Sequence, residues 1–110
     1  MALTIKEEIK SPWIIIHLGG KLDVVTSPQL DEALYKCFQD SKADIVVEFS
    51  NLNYLSSSGI RVLLSQHRKF TEQKRRFILM ALPSHIKEII RLAGFDKVFT
   101  LVEELKEIHQ

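Results

Sequence analysis

Two unbroken apolar runs constrain this chain most: Ile45-Val46-Val47, extended by Phe49, and Phe77-Ile78-Leu79-Met80-Ala81. A strand with one wetted face alternates apolar and polar residues. A run that does not alternate belongs to a strand covered on both sides, as in a parallel sheet. Parallel neighbours need a long crossover, usually a helix. Ile60, Leu63, Leu64 and His67 supply that helix between the two runs, with one apolar face at helical spacing.

The same pattern extends both ways. Leu3, Ile5 and Ile9 suggest a first strand, with a turn at Lys10-Ser11-Pro12. Trp13 to Leu18 is β-branched and aromatic and stops at Gly19-Gly20, which predicts a second strand paired with the first as a hairpin. A helix follows with Leu30, Ala33, Leu34, Cys37 and Phe38 in one stripe. Its start is either a capping box of Thr26 and Gln29 or a Ser27 cap before Pro28. Ser50-Asn51-Leu52-Asn53 reads as a polar link after the third strand. Beyond Pro83, Ser84 is placed to cap a helix burying Ile86, Ile89, Ile90 and Ala93, stopped by Gly94. Val98-Phe99 suggests a brief strand, and Val102, Leu105 and Ile108 a last amphipathic turn or two. The expectation is one α/β domain over residues 1–110, in the order ββαβαβαβα. Its sheet is mixed, with an antiparallel N-terminal hairpin and a mostly parallel remainder, and the helices pack on it.

Composition removes several function classes. With 45% hydrophobic and 26% charged residues, the chain of 110 is average for a packed globular domain. No apolar run approaches the roughly 18 residues that cross a bilayer. Acids at Glu7 and Glu8 sit where a signal peptide has its apolar core, so no membrane insertion and a cytoplasmic location are expected. A net charge of +1 gives no broad field to gather nucleic acid. Arg61, Arg68, Lys69, Lys74, Arg75 and Arg76 form a basic stretch that lacks an aromatic platform and reads as a solvated helix end.

Catalytic motifs are missing. Gly20-Lys21 has Ile15 where a phosphate loop needs Gly and Leu22 where it needs Ser or Thr. Ser57 has Leu55 and Gly59 at the two positions where a nucleophile elbow needs glycines. His17, His67, His85 and His109 are never four apart and read as surface or boundary residues, so no metal is expected. Cys37 falls on a helix's apolar side and reads as a buried, inert thiol. No cofactor and no enzymatic activity are expected.

What remains is the segment from Glu48 to Leu64, with Ser56-Ser57-Ser58-Gly59 where a buried strand gives way to a helix. One serine capping the helix while the others solvate the loop explains it simply. A phosphate would also be tolerated there, against free N–H groups and the positive end of the helix dipole.

The segment resembles the signature of STAS domains, in which an acidic residue, two serines and a glycine open the helix after the third strand. Gly20-Lys21-Leu22-Asp23 with Thr26-Ser27-Pro28-Gln29-Leu30 is similar to the family's loop and first helix. Ile89 to Phe99, including Leu92-Ala93-Gly94-Phe95-Asp96-Lys97-Val98-Phe99, is similar to its third helix and last strand. For a free-standing chain of this length the resemblance implies an anti-sigma-factor antagonist. Such a protein binds an anti-sigma factor that is also a serine kinase and so frees a sigma factor for transcription. Phosphorylation of the motif's second serine, here Ser58, blocks the binding, and a serine phosphatase restores it. Implied partner contacts are Asp23, Thr26, Ser56, Ser57, Ser58, Gly59 and Arg61. The chain departs from the family at Ser56, where Asp is usual, so a kinase that docks on that carboxylate loses a contact. The competing expectation is a small STAS subunit of a lipid or anion transport complex; neighbouring genes for a kinase or for a permease would separate the two.

Overall fold

The computed structural model describes residues 2–108; His109 lies outside them. The described residues form strand β1 (Leu3–Lys10), strand β2 (Trp13–Leu22), helix α1 (Ser27–Asp40), strand β3 (Asp44–Leu55), helix α2 (Ser57–Glu72), strand β4 (Phe77–Met80), helix α3 (Ser84–Leu92) and strand β5 (Thr100–Val102), closed by a 3-10 turn at Leu105–Glu107. The sheet runs β1-β2-β3-β4-β5, antiparallel between β1 and β2 and parallel thereafter. The hairpin and the crossover pattern are therefore as the sequence implies.

Every parallel crossover steps in the same direction across the sheet. Crossovers of one hand then place their helices on one face. Ile14, Ile16, Leu18, Ile45, Val47, Phe49 and Leu79 point to that face, where Leu30 and Leu34 of α1, Leu63 and Phe70 of α2, and Ile86 and Ile90 of α3 close over them. Each fully buried aliphatic there contributes about 1.5–3 kcal/mol before chain entropy is counted. The opposite face carries a smaller cluster of Trp13, Ile15, Val46, Ile78 and Val102, against which Leu105 and Ile108 pack. That second cover is why the central runs lack alternation.

Several boundaries differ from the sequence reading. Gly19-Gly20 does not end β2, and the expected polar link is strand: Gly19 pairs with Asn51, Gly20 with Leu52, Lys21 with Tyr54 and Leu22 with Leu55. Two register shifts insert extra residues into β3, so its last buried residues are Phe49, Leu52 and Leu55, three apart rather than two. Gly20 takes φ +89°, and a Cβ there would stand 2.3 Å from the Ala2 carbonyl oxygen, so only glycine passes. Neither proposed cap of α1 forms: Thr26 is the N-cap but makes no capping bond, and Ser27 is already helical. Pro83, not Ser84, precedes α3. Gly94 does take the left-handed stop, at φ +86°, and Ala93 is exposed. Val98-Phe99 is a turn and a bend, with the strand beginning at Thr100, and the last helix is one 3-10 turn.

The opposite face also holds a polar relay. His17 on β2 has Nε2 2.8 Å from Glu8 Oε1 on β1 and Nδ1 2.9 Å from Glu48 Oε1 on β3. Ionised carboxylates can only accept, so this geometry favours the imidazolium form, in which both ring nitrogens donate. Burial pulls the His17 pKa down, but the bonds to Glu48 and Glu8 outweigh it and hold it above the usual imidazole value. Glu48 is buried, which raises its pKa, yet bonds from Ser50 and His17 leave it below the usual carboxylate range. His17 is thus a structural tie across three strands.

Candidate functional site

The site is built at the C-terminal ends of β2 and β3, where parallel sheets leave their loops open to ligands. Leu22 pairs with Leu55, and one residue later the Ser56 amide donates to the Leu22 carbonyl at 2.9 Å. The β2–α1 loop and the start of α2 are thereby fixed side by side. Ser56 is extended and its Oγ accepts from the Gly59 amide at 3.2 Å, so Ser56 is the helix cap. Ser57 is exposed and Ser58 half-buried in the first turn. With the cap supplied by Ser56, the fold has no need of the Ser58 hydroxyl.

Gly59 lies beneath this surface. A Cβ on it would sit 2.7 Å from Leu22 Cγ and 2.8 Å from Leu55 Cδ1. Alanine suits a first helical turn by propensity, but a methyl group here is not cheap. The missing side chain lets α2 start flush against the paired ends of β2 and β3, so Gly59 shapes the site without facing out.

Across from the serines, Asp23 organises the loop. Its Oδ1 accepts from the Val25 and Thr26 amides, each at 3.0 Å, while Thr26 Oγ1 accepts from the Asp23 amide at 2.9 Å and donates to the Lys21 carbonyl at 2.8 Å. The Ser27 hydroxyl donates to the Asp23 carbonyl. Chiefly through the Thr26 N–H, this holds the Asp23 carboxyl below its ordinary pKa. The turn also lifts Val24 and Val25 into solvent, 70% and 81% exposed.

An open groove joins the two halves. Val24, Ser27, Pro28 and Asp31 line one side, and Ser58, Arg61, Val62 and Ser65 the other. Of the residues expected from sequence, Ser58 and Arg61 meet here. Asp23 and Thr26 instead bond to each other in the adjoining loop. Sequence reasoning missed Val24, Asp31 and Ser65. Val24-Val25 was legible as an apolar pair inside a polar turn, whereas Asp31 looks like any helix-surface acid. Beneath the groove, buried Gln66 donates from Nε2 to Asp31 Oδ1 at 2.9 Å.

The basic stretch divides. Arg61 and Arg68 are exposed, but Arg75 is buried, contrary to the solvated reading. It donates to the Ala43 carbonyl from Nε and Nη2 and to the Phe38 carbonyl from Nη1, and it stacks on Phe38 and Phe70. Arg76 pairs with Asp44 at 3.1 Å and lies over the Trp13 ring. His67 packs edge-on against Phe77 and Phe99, and burial lowers its pKa. His85 meets the Asn53 carbonyl at the surface. Burial pushes the Cys37 thiol up to about 11, which makes it a poor nucleophile. No helix among the described residues is long and apolar enough to cross a membrane.

Comparison with known proteins finds the STAS domain family model matching residues 2–108. The chain is 29% identical over 93 residues to the anti-sigma-F factor antagonist RsfB of Mycobacterium tuberculosis, covering 84% of this chain and 75% of that one. It is 26% identical over 103 residues to the anti-sigma-B factor antagonist of Staphylococcus aureus, covering 94% and 95%. The crystal structure of an anti-sigma factor antagonist from Mycobacterium paratuberculosis superimposes with a TM-score of 0.86 at 26% identity, covering 96% of this chain and 90% of that one.

Proposed function

The chain belongs to the STAS domain family, and from that premise we propose that it is an anti-sigma-factor antagonist switched by phosphorylation of Ser58. Unmodified, it binds an anti-sigma factor in the cytoplasm through the β2–α1 loop and the first turns of α2, and so releases a sigma factor. The anti-sigma factor is also the kinase. Ser58 Oγ attacks the γ-phosphorus of ATP, the Oγ–P bond forms as the bond to the β-phosphate oxygen breaks, ADP leaves, and the hydroxyl proton passes to a base on the kinase. A serine phosphatase reverses the modification. The chain performs no chemistry of its own.

One observation carries this reading: Ser56 caps α2, so the half-exposed hydroxyl of Ser58 is free for modification without cost to the fold. The exposed Val24 and Val25 beside it supply apolar contact, and a dianion placed at their edge must be desolvated on binding. The antagonist relatives match over most of their length, which favours this reading over a subunit of a transport complex.

The test is to incubate the protein with its cognate anti-sigma factor and magnesium-ATP and to map phosphate by mass spectrometry. Phosphate should appear on Ser58 and not on Ser56 or Ser57. Ser58→Ala should bind constitutively, and Ser58→Asp should stay folded and bind weakly. Full phosphate uptake by Ser58→Ala, or wild-type affinity in Ser58→Asp, refutes the assignment.

A further inference from the structure

Ser58 and Arg61 are three residues apart on α2 and line the same groove. Residues at that spacing are neighbours on a helix surface. Long side chains on a helix lean toward its N-terminus, which is the direction in which Ser58 lies from Arg61. Arg61 is exposed, and none of the ion pairs among the described residues includes it. Among the described residues that line the groove, Asp31 is the one acid, and its Oδ1 is occupied by the Gln66 amide. Ser56 caps the helix without bringing a charge to the turn.

We propose that Arg61 captures the phosphate on Ser58 within the same chain, so that modification withdraws a docking cation as it adds a dianion. This rests on the reading of Ser58 as the phosphoacceptor. A guanidinium presents two parallel N–H groups that match two phosphate oxygens, a pairing an ammonium cannot copy. Before modification those donors are open to an acidic group on the anti-sigma factor. Afterwards they face the chain's own phosphate, and the partner loses its contact while meeting a bulkier surface. Asp31, across the groove on α1, opposes the phosphate and keeps it on the Arg61 side. Val24, Ser27 and Pro28 bring no charge to the balance.

Phosphoserine installed at position 58 during synthesis of the full chain makes the test independent of any kinase. Phosphorus NMR from about pH 4 to 8 then follows the second ionisation of the phosphate. Arg61→Ala should raise that apparent pKa by roughly half a unit, because a neighbouring cation favours the dianion. Arg61→Lys should recover part of the shift. Arg68→Ala, exposed on the same helix outside the groove, should leave the titration unchanged. An unshifted titration in Arg61→Ala, or an equal shift in Arg68→Ala, overturns the capture. Failure of the anti-sigma factor to modify Ser58 would instead refute the phosphoacceptor reading and leave the titration result standing.

Discussion

The two ends of the parallel sheet treat arginine in opposite ways. At the N-terminal end, Arg75 spends its donors on the carbonyls of Ala43 and Phe38 and lies over the Phe38 and Phe70 rings. At the C-terminal end, Arg61 stands in an open groove beside a serine whose hydroxyl the helix does not use. The contrast separates two uses of one residue type. A guanidinium that satisfies carbonyls at helix and strand ends is part of the fold, and one left with open donors is part of the surface chemistry.

Breaking the closed end should cost most. Arg75→Ala strips three hydrogen bonds, leaves two half-buried carbonyls unpaired and removes the packing of a buried side chain, so unfolding in urea should show a loss of about 2–4 kcal/mol. Partner affinity of the folded fraction should be unchanged. If Arg75→Ala weakens binding without lowering stability, the division between the two ends is wrong.

Gly59→Ala tests whether the open end rests on close packing. A methyl group must displace Leu22 and Leu55, both buried, and overpacking of this kind costs about 1–3 kcal/mol. Binding should fall as well, since α2 can no longer start flush with the β2–α1 loop. A mutant as stable as the parent would mean that the two leucines yield freely.

Asp23→Ala leaves the core untouched and unties the loop that presents Val24 and Val25. Affinity for the anti-sigma factor should drop about ten-fold, because the loop must then be ordered on binding. Asp23→Asn keeps an acceptor and should lose less. Equal affinity in all three proteins, measured by calorimetry, would remove Asp23 from the interface.

The smallest effect comes from the His17 relay, which belongs to neither end. Glu48, with its pKa lowered from 4.5, gives its full contribution above that value and loses it as pH falls further. His17, with its pKa raised from 6.5, gives its full contribution below that value and loses it as pH rises through the folded pKa. Both are complete between 4.5 and 6.5. Stability should fall modestly above that window, and His17→Gln should flatten the decline in thermal melts. Binding should follow no such curve, since the relay faces away from the groove.

The order of elements was legible because apolar runs and stripes report which faces are covered. The serine cap of α2 and the Gly94 stop were legible too, but other caps and boundaries were not. Thr26 looked like a capping residue because its side chain suits one, but Asp23 and Lys21 engage it first. Ser50 to Asn53 looked like a polar link because two bulges turn a period of two into a period of three. Arg75 looked solvated because nothing in a linear chain shows which carbonyls a fold leaves open. At the site, the hydroxyl cluster and Arg61 could be read in order, whereas Asp31 depends on how α1 and α2 pack.

Because β2 and β3 stay paired through Leu22 and Leu55, the two segments that form the groove share one splint. Neither can swing relative to the other without unzipping a strand pair. A phosphate on Ser58, as proposed above, would therefore have no lever to pull inside the molecule. It would act through composition and charge alone, and the backbone amides along that splint should exchange with solvent equally slowly in the modified and unmodified protein.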